Sequence, residues 1–383
     1  MKKILTLLGL AAACVAAFGQ ALPVPEIAAR EYLLVDMNAG QVLAERAADA
    51  SADPASLTKL MTAYVAFVQL KERKLSLEQK VPVSTRAWAE RKGGGSLMFI
   101  DATMTPSVDE LLQGVIVDSG NDASVALAEA AGGSVEAFVG MMNRQAQAWG
   151  LKNTTFKNVT GLTEAGHRST PRDMTVIAQH IVRDFPEYYH YYAQRDYKYN
   201  NIQQENRNLL LKRDPSVDGM TTGFTDAAGY CLLASAQRDF PNGKRRLMAI
   251  VMGADSILGR ANEAQKLLNW GFTAFDDVRL AEAGKAIGAP VAVWKGKVAQ
   301  VGLGSADAIY VAVPKGEGDH LKTLVERTDP LVAPLAKGQR VGSLKVTTAS
   351  GTAIATIPLT VLEEVPQAGL FGRAWDAIRL WIK

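Results

Sequence analysis

At 383 residues, 48% hydrophobic and 21% charged, the chain is long enough for one large domain and a smaller one, each with an apolar core. Its formal net charge is +3, or +1 without Lys2 and Lys3, so bulk charge gives no reason to expect nucleic-acid binding. His167, His180, His190 and His320 stand apart from cysteine or aspartate partners, and no metal site is expected.

The N-terminus reads as an export signal. Lys2 and Lys3 precede an apolar run over residues 4–18, and Gly19-Gln20-Ala21 puts small residues where a signal peptidase reads. Residues 1–21 are expected to be removed by cleavage after Ala21, with the bond after Gly19 as the alternative. The run is short for a membrane span. Lipoprotein processing at Cys14 is a weaker alternative, because apolar residues continue past it and no polar tether follows. Cys231 then remains unpaired, and an exported chain without disulfides depends on its core.

Residues 31–36 and 41–45 flank Met37-Asn38-Ala39-Gly40 and predict a β-hairpin. Next, Asp53-Pro54-Ala55-Ser56-Leu57-Thr58-Lys59 reads as a turn opening an apolar helix that runs to about Leu70. Ser56 and Lys59 share a helical face there, so the hydroxyl and the amine can meet. A serine hydroxyl needs a base to become a nucleophile. Lysine can be that base if burial or positive neighbours lower its pKa by roughly 3 units. S-x-x-K alone is a common pattern, so its partners have to come from elsewhere in the chain.

Gly93-Gly94-Gly95-Ser96 reads as a flexible loop, and Ser107-Val108-Asp109-Glu110 as a capped start for a helix over 111–117. Helical patterns follow from about Asp122, over 135–149 and over 171–182. Six tyrosines between Tyr188 and Tyr199 suggest a packed core edge, with ligand binding as the alternative. Residues 229–235 and 246–252 predict strands joined by a turn over 238–244, followed by a helix over 260–275. Hairpin, helices, hairpin and helix imply a sheet covered by helices, with a helical insertion, in a domain spanning 22–278.

Over 279–365, short strand-like runs at 290–294, 308–313, 340–346 and 353–357 alternate with Gly and Pro turns, as in a small β-sandwich. The tail, 366–383, is set apart by Pro366 and Gly369. Phe371, Ala374, Trp375, Ile378, Trp381 and Ile382 fall on one helical face, with Arg373, Asp376, Arg379 and Lys383 on the other. A basic amphipathic helix with tryptophans suits residues 370–383 to a membrane interface. Docking on its own domain is the alternative.

Two further stretches supply partners for Ser56. Asp118-Ser119-Gly120-Asn121 places a hydroxyl and an amide between two helices, and Met220-Thr221-Thr222-Gly223 precedes the later hairpin. With Asn158–Leu162, Ser169–Met174, Asn206-Arg207-Asn208-Leu209-Leu210 and Gly229–Leu232, these motifs resemble the penicillin-recognising serine D,D-peptidases. That signature is S-x-x-K, Ser-x-Asn and K-T-G. The chain looks most similar to the low-molecular-mass penicillin-binding proteins that act as D-alanyl-D-alanine carboxypeptidases, and the resemblance runs through the β-rich module and the tail.

The resemblance implies an α/β (α+β) fold of the serine transpeptidase/β-lactamase-like type, followed by an all-β domain. It also implies a location on the periplasmic face of the inner membrane, peripherally anchored, with no metal or organic cofactor. Ser56 would attack the terminal D-Ala-D-Ala carbonyl of a peptidoglycan stem peptide, with Lys59 taking its proton and water later releasing the acyl-enzyme. Ser119 would relay protons, and Asn121, Thr221, Thr222 and Gly223 would hold the peptide. β-Lactams would acylate Ser56 as mimics of that substrate.

One motif position departs from the family. Thr221 stands where the family has lysine, and Phe224 follows where histidine is frequent. Thr222 keeps the hydroxyl that meets the substrate carboxylate, but Thr221 supplies no charge. Lys198, Lys212 and Arg213 are the candidate substitutes. Two other readings stay open: a non-catalytic cell-wall protein that binds stem peptides or scaffolds partners, and a serine β-lactamase. For the latter, Glu164 is the one carboxylate in the right region, though its surroundings do not match that family's pattern.

Overall fold

The structure, a computed structural model, describes residues 22–382. The expected export signal, Cys14 and Lys383 lie outside the described residues. The chain opens with the expected hairpin, Glu31–Asp36 (β1) and Gln41–Arg46 (β2). It then builds a helical lobe from Lys59–Lys71 (α1), Thr85–Ala89 (α2), Val108–Ile116 (α3), Asn121–Gly132 (α4), Val135–Ala148 (α5) and Pro171–Asp184 (α6). A small hairpin, Asp196–Tyr199 (β3) and Ile202–Glu205 (β4), and a short helix, Leu210–Arg213 (α7), lead back to the sheet. Val217–Thr225 (β5), Gly229–Phe240 (β6) and Gly243–Ala254 (β7) complete five antiparallel strands in the order β2-β1-β7-β6-β5, and Ile257–Ala274 (α8) follows.

Both faces of the sheet are buried. Side chains alternate across a strand, so Met248, Ile250 and Met252 of β7 join the core of the helical lobe. Leu247, Ala249 and Val251 of the same strand pack with Leu267 and Leu268 of α8. Gly271 lets α8 sit close, since a Cβ there would lie 2.7 Å from Leu34 Cδ2. α1 is enclosed by the lobe: Leu60, Met61, Ala63, Val65, Ala66 and Phe67 are all buried, a fuller burial than a single apolar stripe.

The turn between β6 and β7 is tighter than expected. The strands stay paired through Arg238↔Arg245 and Asp239↔Lys244 to Phe240↔Gly243, leaving Pro241 and Asn242 as a two-residue turn. Charged residues hide this extension from a reading based on apolar runs. One of them, Arg245, is fully buried and donates from Nε to Asp36 Oδ2 at 2.7 Å. Asp36 Oδ1 accepts the N–H groups of Asn38 and Ala39, at 2.9 and 3.0 Å, and so shapes the β1–β2 turn.

The tyrosine cluster is packing. Tyr191, Tyr192 and Tyr197 are buried, and Tyr188 stacks on Phe67 with ring centroids 4.9 Å apart. Beyond α8, Phe275–Ala281 (β8) pairs with the strand Ile309–Pro314, so residue 278, the expected domain boundary, sits inside a strand. The rest of this region is all β, with two small cores, one around Val293, Leu331 and Val361 and the other around Val311, Leu344 and Leu359. The strand Lys322–Arg327 was not expected, because its side chains face mostly solvent at a sheet edge. The tail forms a helix, Leu370–Ile382 (α9).

Candidate active site

Ser56 lies in a 3-10 turn, Ala55–Thr58, that runs directly into α1. Asp53 shapes the entry: Oδ1 accepts the Ala55 N–H at 2.9 Å, and Oδ2 accepts the Thr163 hydroxyl at 2.6 Å. Ala55 takes a left-handed φ of 47°, uncommon for alanine. Two glycines allow neighbouring segments to close on this turn. A Cβ on Gly161 would lie 1.8 Å from Ala55 O, and one on Gly223 would lie 3.1 Å from Ser56 N. The Ser56 turn therefore touches both the 158–162 loop and strand β5.

Lys59 points back under Ser56. Its Nζ lies 3.1 Å from Ser56 Oγ, 2.8 Å from Asn121 Oδ1 and 2.7 Å from Thr160 O. Burial, helped by the Arg207 charge and opposed by Glu90 and Asp122, brings its pKa down to about 7. A buried amine favours its neutral form. Near neutral pH, a large share of Lys59 can therefore accept a proton from the hydroxyl it touches.

Ser119 and Asn121 sit between α3 and α4. The expected capping box starts α3, with Ser107 Oγ accepting the Glu110 N–H at 3.2 Å and Glu110 accepting the Ser107 N–H at 2.6 Å. After α3 the chain turns through Ser119, whose φ is 56° and whose buried Oγ has no hydrogen-bond partner among the described residues. Asn121 opens α4 and gives its N–H to Ser96 O at 2.8 Å. Asp122 accepts the N–H groups of Met98 and Ile100, at 2.8 and 3.0 Å. The glycine loop is thereby tied to the wall of the site along its C-terminal side, and Gly95 approaches so closely that a Cβ would lie 2.8 Å from Asn121 Nδ2.

A cleft of about 610 Å³ opens above these groups. Ser56, Ser119, Asn121, Thr222 and Gly223 line it, while Lys59 lies beneath, reaching it through Ser56. Thr221 is buried on β5 and is not among the lining residues. None of the three candidate substitute cations lines the cleft. Lys212 pairs with Glu205 at 2.7 Å, Arg213 donates to Asn262 at 3.0 Å, and Lys198 is exposed on β3. Glu164 is also outside, exposed and accepting from Asn158 Nδ2 at 3.0 Å.

The cations that do line the cleft are Arg207 and Arg260. Arg260 is buried and fixed, its Nη1 donating to Gly223 O at 3.0 Å and Cys231 O at 3.3 Å, and burial lowers its pKa to about 10. Neither was singled out from sequence. Arg207 stands in the Asn-Arg-Asn stretch that carried part of the resemblance, so a signal was present. Arg260, near the start of α8, carried none.

A serine on a strained turn, a buried lysine in contact with it, a Ser-x-Asn wall and a Thr-Thr-Gly strand define a serine hydrolase of the penicillin-recognising class. The model of the D-alanyl-D-alanine carboxypeptidase family matches residues 18–256, and that of the penicillin-binding protein 5 C-terminal domain matches residues 275–367. D-alanyl-D-alanine carboxypeptidase DacA of Escherichia coli K12 is 42% identical, over 93% of this chain and 88% of that protein. DacC of the same organism is 42% identical over 94% and 90%. Penicillin binding protein 5 of Haemophilus influenzae superposes with a TM-score of 0.84 at 42% identity, covering 90% of this chain and all of that one. The chain belongs to the D-alanyl-D-alanine carboxypeptidase family.

Proposed function

We infer that this protein is a serine D-alanyl-D-alanine carboxypeptidase that removes the terminal D-alanine from peptidoglycan stem pentapeptides. The observation that carries the reading is the 3.1 Å contact between Lys59 Nζ and Ser56 Oγ, in surroundings that bring the lysine's pKa to about 7. Ser56 Oγ attacks the carbonyl of the scissile bond as Lys59 takes its proton. That proton then passes to the nitrogen of the departing D-alanine, with Ser119 as relay. Water adds to the acyl-Ser56 ester, releasing the shortened peptide and restoring the hydroxyl. The Ser56 N–H, close to β5 at Gly223, is suited to meet the negative oxygen of the tetrahedral intermediate.

Thr222 and Gly223 border the place where the substrate carboxylate would lie, and Arg260 stands behind them. A missing hydrogen bond to a charged group, such as the family's lysine would make, costs about 1.5–3 kcal/mol. Slower turnover than in relatives with that lysine therefore fits Thr221 better than inactivity. β-Lactams occupy the same cleft and acylate Ser56. The test is release of D-alanine from a stem pentapeptide: the wild-type chain releases it, Ser56→Ala does not, and equal release by both would overturn the reading.

We also propose that the protein is exported and lies at the periplasmic face of the inner membrane, held by its tail. No single helix among the described residues is long and apolar enough to cross a membrane. α9 instead docks through polar groups, with Asp376 accepting the Lys295 N–H at 2.6 Å and Arg379 over the Trp294 ring at 5.6 Å. Phe371, Trp375, Ile378 and Trp381 face solvent. An apolar helix face turned outward supports seating in a lipid interface.

A further inference from the structure

We propose that Arg207 is the positioning residue that supplies Lys59 with the positive field Thr221 cannot. This rests on the carboxypeptidase reading above. Arg207 lines the cleft from the segment between β4 and α7, held by buried asparagines on both sides. Asn206 Nδ2 donates to Gln194 O and Asn208 Nδ2 to Gly219 O, each at 2.9 Å, while the Asn208 N–H bonds Asn206 Oδ1 at 2.9 Å. Gly219 lies on β5, two residues before Thr221. The backbone carrying Arg207 is thus pinned to the strand that lacks its lysine. Two buried neighbours fix where the exposed arginine between them emerges.

The guanidinium of Arg207 has no hydrogen bond or ion pair among the described residues, so its charge is not neutralised by a contact partner. Arg260 differs, being bound to two carbonyls. Arg207 is also the positive neighbour that lowers the pKa of Lys59. The other charged groups around Lys59 are Glu90, in the turn after α2, and Asp122 on α4, and both act in the opposite sense. Asp118 is the negative charge that acts on Arg207, and burial raises its carboxyl to about 7, so it gains charge in the same range in which Lys59 loses it. A nearby positive charge favours the neutral amine. Without Arg207, Lys59 therefore holds its proton to higher pH.

The test is the second-order rate of acylation by benzylpenicillin, followed from acid to alkaline pH. In the wild-type chain the rate climbs through the Lys59 titration near 7. In Arg207→Gln the climb moves to higher pH, and a displacement of about half a unit to one unit lowers the rate at neutral pH roughly two- to fivefold. Arg207→Lys keeps the wild-type position, and adding Thr221→Lys to Arg207→Gln restores it. The displacement persists in an Asp118→Asn background, which separates it from the titration of Asp118. High salt moves the wild-type profile toward that of Arg207→Gln, because an exposed charge is screened. This arm and Arg207→Lys stand even if Arg207→Gln folds poorly. A profile that loses height but keeps its position would make Arg207 merely structural and overturn the proposal. A wild-type chain that is not acylated at any pH would instead overturn the enzyme reading.

Discussion

An ammonium group taken out of water is costly unless it is paired or gives up its proton. Lys59 has only neutral contacts, the Ser56 hydroxyl, the Asn121 amide and the Thr160 carbonyl, and its carboxylate neighbours do not bond it. Shedding the proton is the cheaper course, and the base proposed for Ser56 follows from that. Asp36 and Arg245 solve the same problem by pairing, with both side chains fully buried at 2.7 Å. Arg245→Met would leave the Asp36 carboxylate without its partner, and breaking such a pair costs about 3–5 kcal/mol. A lower urea midpoint is expected for Arg245→Met. A smaller loss is expected when Asp36→Asn is added, and an unchanged midpoint in the single variant would contradict this role. Ser56 and Lys59 were legible because an i, i+3 spacing brings side chains together in a 3-10 turn and in an α-helix alike. Arg207 was less so, since its nearness to Lys59 depends on hydrogen bonds from Asn206 and Asn208 to segments distant in sequence.

Among the elements, those with a period or a cap in the sequence formed as expected. α3 begins at its capping box, α6 at Thr170, whose Oγ1 accepts the Asp173 N–H, and β1–β2 turns at its Asn/Gly residues. Where neither signal existed, the structure departs. β6 and β7 continue through charged residues because pairing and the Asp36 contact carry them past the apolar run. β5 carries three buried motif residues, Thr221, Thr222 and Gly223, yet its glycines and threonines give no strand-like apolar pattern. Its place as an edge strand beside Ser56 is a matter of sheet order, which no local pattern encodes.

At the scale of the molecule, the cleft and α9 belong to different parts of one chain. The cleft lies where the five-stranded sheet meets the helical lobe, while α9 rests on the C-terminal β region. β8 and the contact of the Gln41 side chain with the backbone of Ala312, at 2.8 and 3.1 Å, link the two regions. If α9 seats the protein on lipid, the full chain sediments with anionic phospholipid vesicles and a form ending at Pro366 stays in solution. Equal sedimentation of both would contradict that role. The central claim is that Ser56, activated by Lys59, is the acylated nucleophile despite Thr221. Intact-mass spectrometry after incubation with benzylpenicillin tests it most directly. One penicilloyl adduct is expected, mapped to the peptide carrying Ser56 and absent from Ser56→Ala; no adduct, or one that survives that substitution, would contradict Ser56 as the nucleophile.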